Sequence, residues 1–163
     1  METAPEEESK KRGEFNPLAY SLRLLKSRIR SVHEVEAALA KHGTEPERIA
    51  AVIKQLVEAR LLDDLEFARS WTRTRDRLTP RGEAVLRQEL YQKGISKEIS
   101  SQVLSERKDD PEEHSEDDLA RELVRRKERT YANLTPEVRL RRQMAMLQRR
   151  GFSYDVIKRI LAA

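Results

Sequence analysis

Apolar residues recur along this chain in the three-to-four-residue rhythm of amphipathic helices, and three of the helical stretches end in the same way. Leu39-Ala-Lys-His-Gly43, Leu90-Tyr-Gln-Lys-Gly94 and Leu147-Gln-Arg-Arg-Gly151 each pass from Leu through three residues to Gly. After the second and third Gly the apolar positions coincide, with Ile99, Val103 and Leu104 matching Val156, Ile160 and Leu161. The first copy aligns Ile49 and Ile53 once one residue is inserted near Pro46. From Gly43 to Gly94 is 51 residues and from Gly94 to Gly151 is 57, so the pattern predicts three copies of a unit of roughly fifty residues.

Start and stop signals predict three helices in each copy. Asn16-Pro17 opens the first, because Asn caps free amides and Pro suits the first turn; Leu18, Leu22 and Leu25 mark its apolar face. Ser31 with Glu34 forms a capping box ahead of Val32, Val35 and Leu39, and Gly43 ends that helix in a left-handed turn. Thr44 with Glu47 opens the third, which buries Ile49, Val52, Ile53 and Leu56. The second copy begins at Leu61-Leu62-Asp63-Asp64, where Asp63 caps and Glu66 completes the box before Phe67, Ala68 and Trp71. Thr79-Pro80 opens its middle helix, through Val85, Leu86 and Leu90, and Ser96 opens its last, with Ile99 and Val103 inward. In the third copy Ser115 to about Arg129 supplies a helix through Leu119, Leu123 and Val124; Thr135-Pro136 opens the next and Ser153 caps the final one. The fold class is all-α, with nine helices in three tandem three-helix repeats and no strand.

Charge then divides the chain. Of its residues 38% are charged and 37% hydrophobic, which is polar for a single globule and suits small units with thin cores. Residues 105–118 hold 2 basic and 8 acidic groups, a balance of −6, and residues 119–163 hold 12 and 4, a balance of +8. The expected layout is an N-terminal extension over 1–16 that is disordered or loosely ordered, repeats over 17–60 and 61–108, an acidic connector over 109–118, and a basic third repeat over 119–163. Segregated charge favours a polyanion or an acidic protein groove over a neutral small molecule.

The chemistry of catalysis is nearly missing. Without Cys there is neither a disulfide nor a thiolate metal site, and His33, His42 and His114 lack the i,i+4 spacing of a helical metal pair. Gly43, Gly94 and Gly151 serve helix ends, while Gly13 and Gly82 stand alone, so no phosphate-cradling loop forms. The adjacent Asp63 and Asp64 point in different directions on a helix and read as caps. Catalytic residues, metal and cofactors are therefore expected to be none. No apolar run reaches the ~20 residues of a membrane span, and the Glu-rich start does not resemble a signal peptide, so a cytoplasmic location is expected.

Arginine remains as the functional residue. Arg69, Arg73 and Arg77 recur at i,i+4 and predict a ridge, with Arg75 and Arg81 beside it. Arg125, Arg126, Lys127 and Arg129 make a second cluster, and Arg141, Arg142, Arg149 and Arg150, with Arg139, a third. Guanidinium forks bind carboxylates and phosphates, so these are the expected partner-binding residues for protein or nucleic acid, some of them serving instead in surface ion pairs. Phe67, Trp71 and Phe152 fall on apolar faces and are expected in the core, whereas Tyr91, Tyr131 and Tyr154 are freer. Without an exposed aromatic cluster, base stacking has little support.

The order of Leu24-Leu25-Lys26-Ser27-Arg28, Ser31 and Glu34, Leu39 to Gly43, Leu61-Leu62-Asp63-Asp64 with Phe67-Ala68, and Leu90 to Ile95 resembles the RecX regulatory proteins of bacteria. The likeness is close over 17 to about 108 and looser beyond, where Gln143 stands at the position of Val35 and Leu86. What the resemblance implies is a non-enzymatic modulator of the RecA recombinase, its repeats set in an elongated, curved array; a monomer is expected. It implies lodging in the groove of the RecA filament, lowering ATP hydrolysis, strand exchange and co-protease activity. Single- or double-stranded DNA is a further expected partner, and a stand-alone nucleic-acid-binding module acting through basic helix faces is the alternative.

Overall fold

The structure of the chain, a computed structural model, describes residues 15–109 and 115–162. The expected extension therefore lies almost wholly outside the described residues, as do His114 and the middle of the acidic connector. Nine α-helices and no strand occur among the described residues: α1 (Pro17–Ser27), α2 (Val32–Lys41), α3 (Pro46–Glu58), α4 (Asp64–Leu78), α5 (Glu83–Gln92), α6 (Lys97–Asp109), α7 (Glu116–Tyr131), α8 (Pro136–Arg149) and α9 (Tyr154–Leu161). The chain divides into two compact units, residues 1–62 with α1–α3, and residues 63–163 with α4–α9.

The repeated Leu and Gly positions do the same work three times. Leu39, Leu90 and Leu147 are each fully buried. Their carbonyls accept the amides of Thr44, Ile95 and Phe152 at 3.3, 3.0 and 3.2 Å. Gly43, Gly94 and Gly151 hold φ of 71°, 76° and 84°, a left-handed conformation that a side chain disfavours. Each of those Gly amides also reaches back 2.9 Å to the carbonyl three residues earlier, completing a Schellman ending.

A fourth ending of the same kind has no glycine. At the end of α3, Arg60 has φ 55°, its amide bonds Val57 O at 2.9 Å, and the Leu61 amide bonds Leu56 O at 2.8 Å. This turn folds Leu62 back onto the core of Val35, Leu39, Val52 and Leu56. Leu62 therefore closes the first repeat, although its sequence context places it at the opening of the second. Leu18 and Leu25 pack against the same core, whereas Leu22, expected on that face, is 42% exposed.

Most caps follow the sequence signals. Asn16, Ser31, Ser96, Ser115 and Ser153 each accept the amide three residues on, and Asp63 accepts those of Leu65 and Glu66 at 2.9 and 3.1 Å. Two openings differ. Pro46 starts α3 behind Glu45, leaving Thr44 Oγ1 buried without a partner. Thr79 ends α4 rather than opening α5, which begins after Gly82. There the Glu83 amide is capped from outside its own helix, by Glu116 Oε1 at 2.9 Å.

The second core gathers Phe67, Ala68, Leu90, Ile95 and Val103, and the third Leu119, Ala120, Leu123, Met146, Leu147, Phe152, Val156 and Ile157. The acidic stretch is also more helical than a bare connector. Glu106 and Arg107 belong to α6, and Glu116, Asp117 and Asp118 form the first turn of α7, where carboxylates oppose the helix dipole favourably.

Candidate functional site

The arginines of the second repeat are drawn into ion pairs by acids from other helices. Arg69 on α4 binds Glu106 on α6 through two contacts of 2.8 and 2.9 Å, and Glu66 one turn away. The paired guanidinium, helped by Gln102, holds Glu106 at about 2, well below 4.5. Arg75 donates to Glu89 Oε2 at 2.7 Å while its guanidinium lies 4.5 Å over the Trp71 ring, and Trp71 Nε1 donates to the same carboxylate at 2.9 Å. Trp71 is half-buried: it packs against the second core, stacked 5.9 Å from Phe67, and also bridges to the charges above it, with Lys93 4.9 Å over its ring. Arg81 Nε stands 3.5 Å from Glu89, an ionic contact without a hydrogen bond. Arg73 lies near enough to Glu106 to lower its pKa. The i,i+4 ridge therefore reads mostly as the seam between α4 and its neighbours.

Arg107 went unnoticed in the sequence, yet it is the most buried arginine of that seam. Its guanidinium meets Asp76 with two hydrogen bonds of 2.9 Å and donates to Arg81 O at 3.2 Å, and its side chain is 7% exposed. The only sequence signal was a basic pair, Arg107 and Lys108, inside a mostly acidic run.

The second and third repeats meet through their backbones. Gly82 donates to Arg150 O at 2.8 Å, and Arg150 Nη1 returns to Pro80 O at 3.3 Å. A Cβ on Gly82 would lie 2.1 Å from Gly151 O, and one on Gly151 would lie 2.6 Å from Val85 Cγ2. Gly82, solitary in the sequence, is where two chains of backbone touch. Burial, then the charges of Arg81 and Arg126, push the Arg150 pKa down. Beside the joint is a cleft of about 530 Å³ lined by Asp76, Arg77, Asp118, Leu119, Glu122, Arg125 and Arg126.

Farther into the third repeat the acids run out. Glu122 takes both Arg125 and Arg126, at 2.8 and 3.0 Å, and Asp117 takes Arg159 through contacts of 3.1 and 2.7 Å. Lys127, Arg129, Arg141, Arg142 and Arg149 are exposed and have no ion pair among the described residues. Tyr91 and Tyr154 are exposed singly, at 79% and 64%. No helix of the described residues is long and apolar enough to cross a membrane.

Three successive three-helix repeats, each with a left-handed Leu–Gly ending on its middle helix, define a helical-repeat protein. Family models described as the first, second and third three-helix domains of RecX match residues 18–56, 63–104 and 115–161. The chain belongs to the RecX family of regulatory proteins, which are not enzymes. It is 35% identical to the Regulatory protein RecX of Mycobacterium sp. (strain JLS), over 95% of this chain and 85% of that one. To the Regulatory protein RecX of Mycolicibacterium vanbaalenii it is 37% identical, over 98% and 89%. A crystal structure of a regulatory protein RecX matches with a TM-score of 0.79 at 26% identity, over 90% of this chain and 72% of that chain. Another, of RecX from Lactobacillus salivarius, matches in fold with a TM-score of 0.77 at 24% identity, over 90% and 92%.

Proposed function

We propose that this chain binds the RecA–DNA filament and restrains RecA, lowering its ATP hydrolysis, strand exchange and co-protease activity. Membership of the RecX family across all three repeats carries the reading. The physical route is surface contact without chemistry. The third repeat buries its apolar residues in its own core and spends Glu122 on Arg125 and Arg126, leaving its other cations to meet an acidic or phosphate-bearing partner. Many weak contacts along a repeating partner add through effective concentration. The protein acts in this reading as a monomer in the cytoplasm.

The test is RecA-dependent ATP hydrolysis on single-stranded DNA, titrated with this protein to saturation. Hydrolysis is expected to fall as the protein is added; an unchanged rate at saturation would sink the proposal.

A further inference from the structure

Helix α7 outlives its own core. Leu123 is its last buried residue, yet the helix continues to Tyr131, and residues 125–130 are all exposed. That overhang is about 10 Å at 1.5 Å per residue. Helix α8 packs against α7 and begins in the same way, with nothing buried before Met146. Residues 132–135 join the two, and Arg139 Nη2 closes the connection on Ala132 O at 3.2 Å. A helical hairpin thus projects beyond the packed part of the third repeat.

Folding does not account for the sequence of this hairpin. Residues 125–142 carry 7 basic and 2 acidic groups, a balance of +5. Arg125 and Arg129 are like charges four apart on one helix, a pairing that destabilises it. Arg125 and Arg126 share one carboxylate, that of Glu122, and Lys127, Arg129, Arg141 and Arg142 have none among the described residues. The dipole at the end of α7 favours Arg129, but gives no reason for Arg141 and Arg142 on the exposed side of α8. The second repeat shows the contrast, since Arg69, Arg75, Arg81 and Arg107 are matched there by Glu66, Glu89, Glu106 and Asp76, and Arg77 alone of the ridge is exposed without an ion pair among the described residues.

From this we infer that the α7–α8 hairpin of the third repeat is a docking surface for the phosphodiester backbone of DNA, gripped without reading base sequence. A protein partner would need a buried apolar anchor at the centre of its contact. Residues 125–130 offer no apolar side chain, and Leu140, at 44%, is the one exposed large apolar residue on α8. Base stacking would need exposed aromatics, and Tyr131, half-buried, is the hairpin's only aromatic. What remains is a row of guanidinium forks and an ammonium, which suits phosphates at regular spacing.

The experiment needs no RecA, so its outcome is independent of the regulatory proposal. Binding of the full chain to a fluorescent 30-base-pair duplex is followed by anisotropy over a salt series. It is compared with the variant Lys127→Ala, Arg129→Ala, Arg141→Ala, Arg142→Ala and with a control of equal charge loss on the first repeat, Lys26→Ala, Lys41→Ala, Arg48→Ala, Lys54→Ala. Circular dichroism verifies that each variant is folded, as expected for exposed positions. The hairpin variant should bind about tenfold or more weakly, and its log K against log salt slope should shrink by about 3 as phosphate contacts are lost. The control should bind like the parent chain. Equal weakening in both variants, undiminished binding by the hairpin variant, or no duplex binding by the parent would overturn the inference. So would a labelled polyglutamate of matched charge that binds as tightly as DNA and is lost on the same four substitutions, since that assigns the surface to carboxylates.

Discussion

Gly82 and Gly151 meet so closely that a Cβ on the first would sit 2.1 Å from the carbonyl oxygen of the second. Backbone cannot retreat as the end of a side chain can, so Gly82→Ala must push the second repeat away from the third and stretch the 2.8 Å bond from Gly82 to Arg150 O. Overpacking of this kind costs about 1 to 3 kcal/mol. The variant should show a lowered midpoint in urea unfolding of residues 63–163, within the full chain, while the first unit is unaffected. A midpoint equal to that of the parent would show that the joint opens without penalty.

Arg107 and Asp76 form the buried counterpart of that joint, at 7% and 13% side-chain exposure. Removing one partner leaves the other charged group buried, which costs about 3 to 5 kcal/mol, whereas replacing both with apolar residues can be close to neutral. Arg107→Ala is therefore expected to destabilise the second unit strongly, and Asp76→Leu with Arg107→Met much less. If chemical denaturation ranks the double replacement as the worse of the two, the pair stabilises through more than charge compensation.

The scaffold was legible because its signals are local. Leu39, Leu90 and Leu147 recur with their glycines, and all three are buried at left-handed turns. Cap residues such as Ser31, Asp63 and Ser153 need only their own helix to be recognised. The start of α5 misled for the opposite reason: Gly82 and Glu83 are held by Arg150 and Glu116, which are remote in sequence. The pairing of Arg69 was hidden in the same way. Spacing places Arg69, Arg73 and Arg77 on one face, but Glu106, 37 residues from Arg69, takes a position opposite that no periodicity announces. Unpaired cations such as Arg141 and Arg142 become visible only after the paired ones are subtracted.

Acid should loosen the seam between α4 and α6. Glu106 is held at about 2 in the folded chain against 4.5 ordinarily, chiefly by its hydrogen bonds from Arg69. A carboxylate with a depressed folded pKa contributes stability that is fully present above 4.5 and is lost as pH falls from 4.5 towards 2. Glu83 and Asp117, lowered by Lys108 and Arg159 respectively, act in the same direction. Because the Glu106 side chain is 40% exposed, screening keeps its share small. Thermal midpoints measured from pH 6 to pH 2.5 should therefore fall less steeply in Glu106→Gln than in the parent chain, and identical slopes would remove Arg69–Glu106 from the account of acid sensitivity.

Arg60 performs a glycine's task with a side chain attached. Its φ of 55° is the one left-handed non-glycine conformation among the described residues, at the position that Gly43, Gly94 and Gly151 occupy in the other endings. An L-residue there carries a steric cost of about 1 to 2 kcal/mol that glycine avoids. Glycine gives back part of that advantage through the greater freedom of its unfolded chain, so the net gain expected for Arg60→Gly is about 0.5 to 1 kcal/mol. The gain should fall on residues 15–62, where the turn sets Leu62 into the core of Val35, Leu39 and Leu56. Hydrogen exchange of the α2 and α3 amides can measure it site by site, with slower exchange expected in the variant. Faster exchange would mean that the Arg60 side chain holds the turn by contacts worth more than its backbone strain.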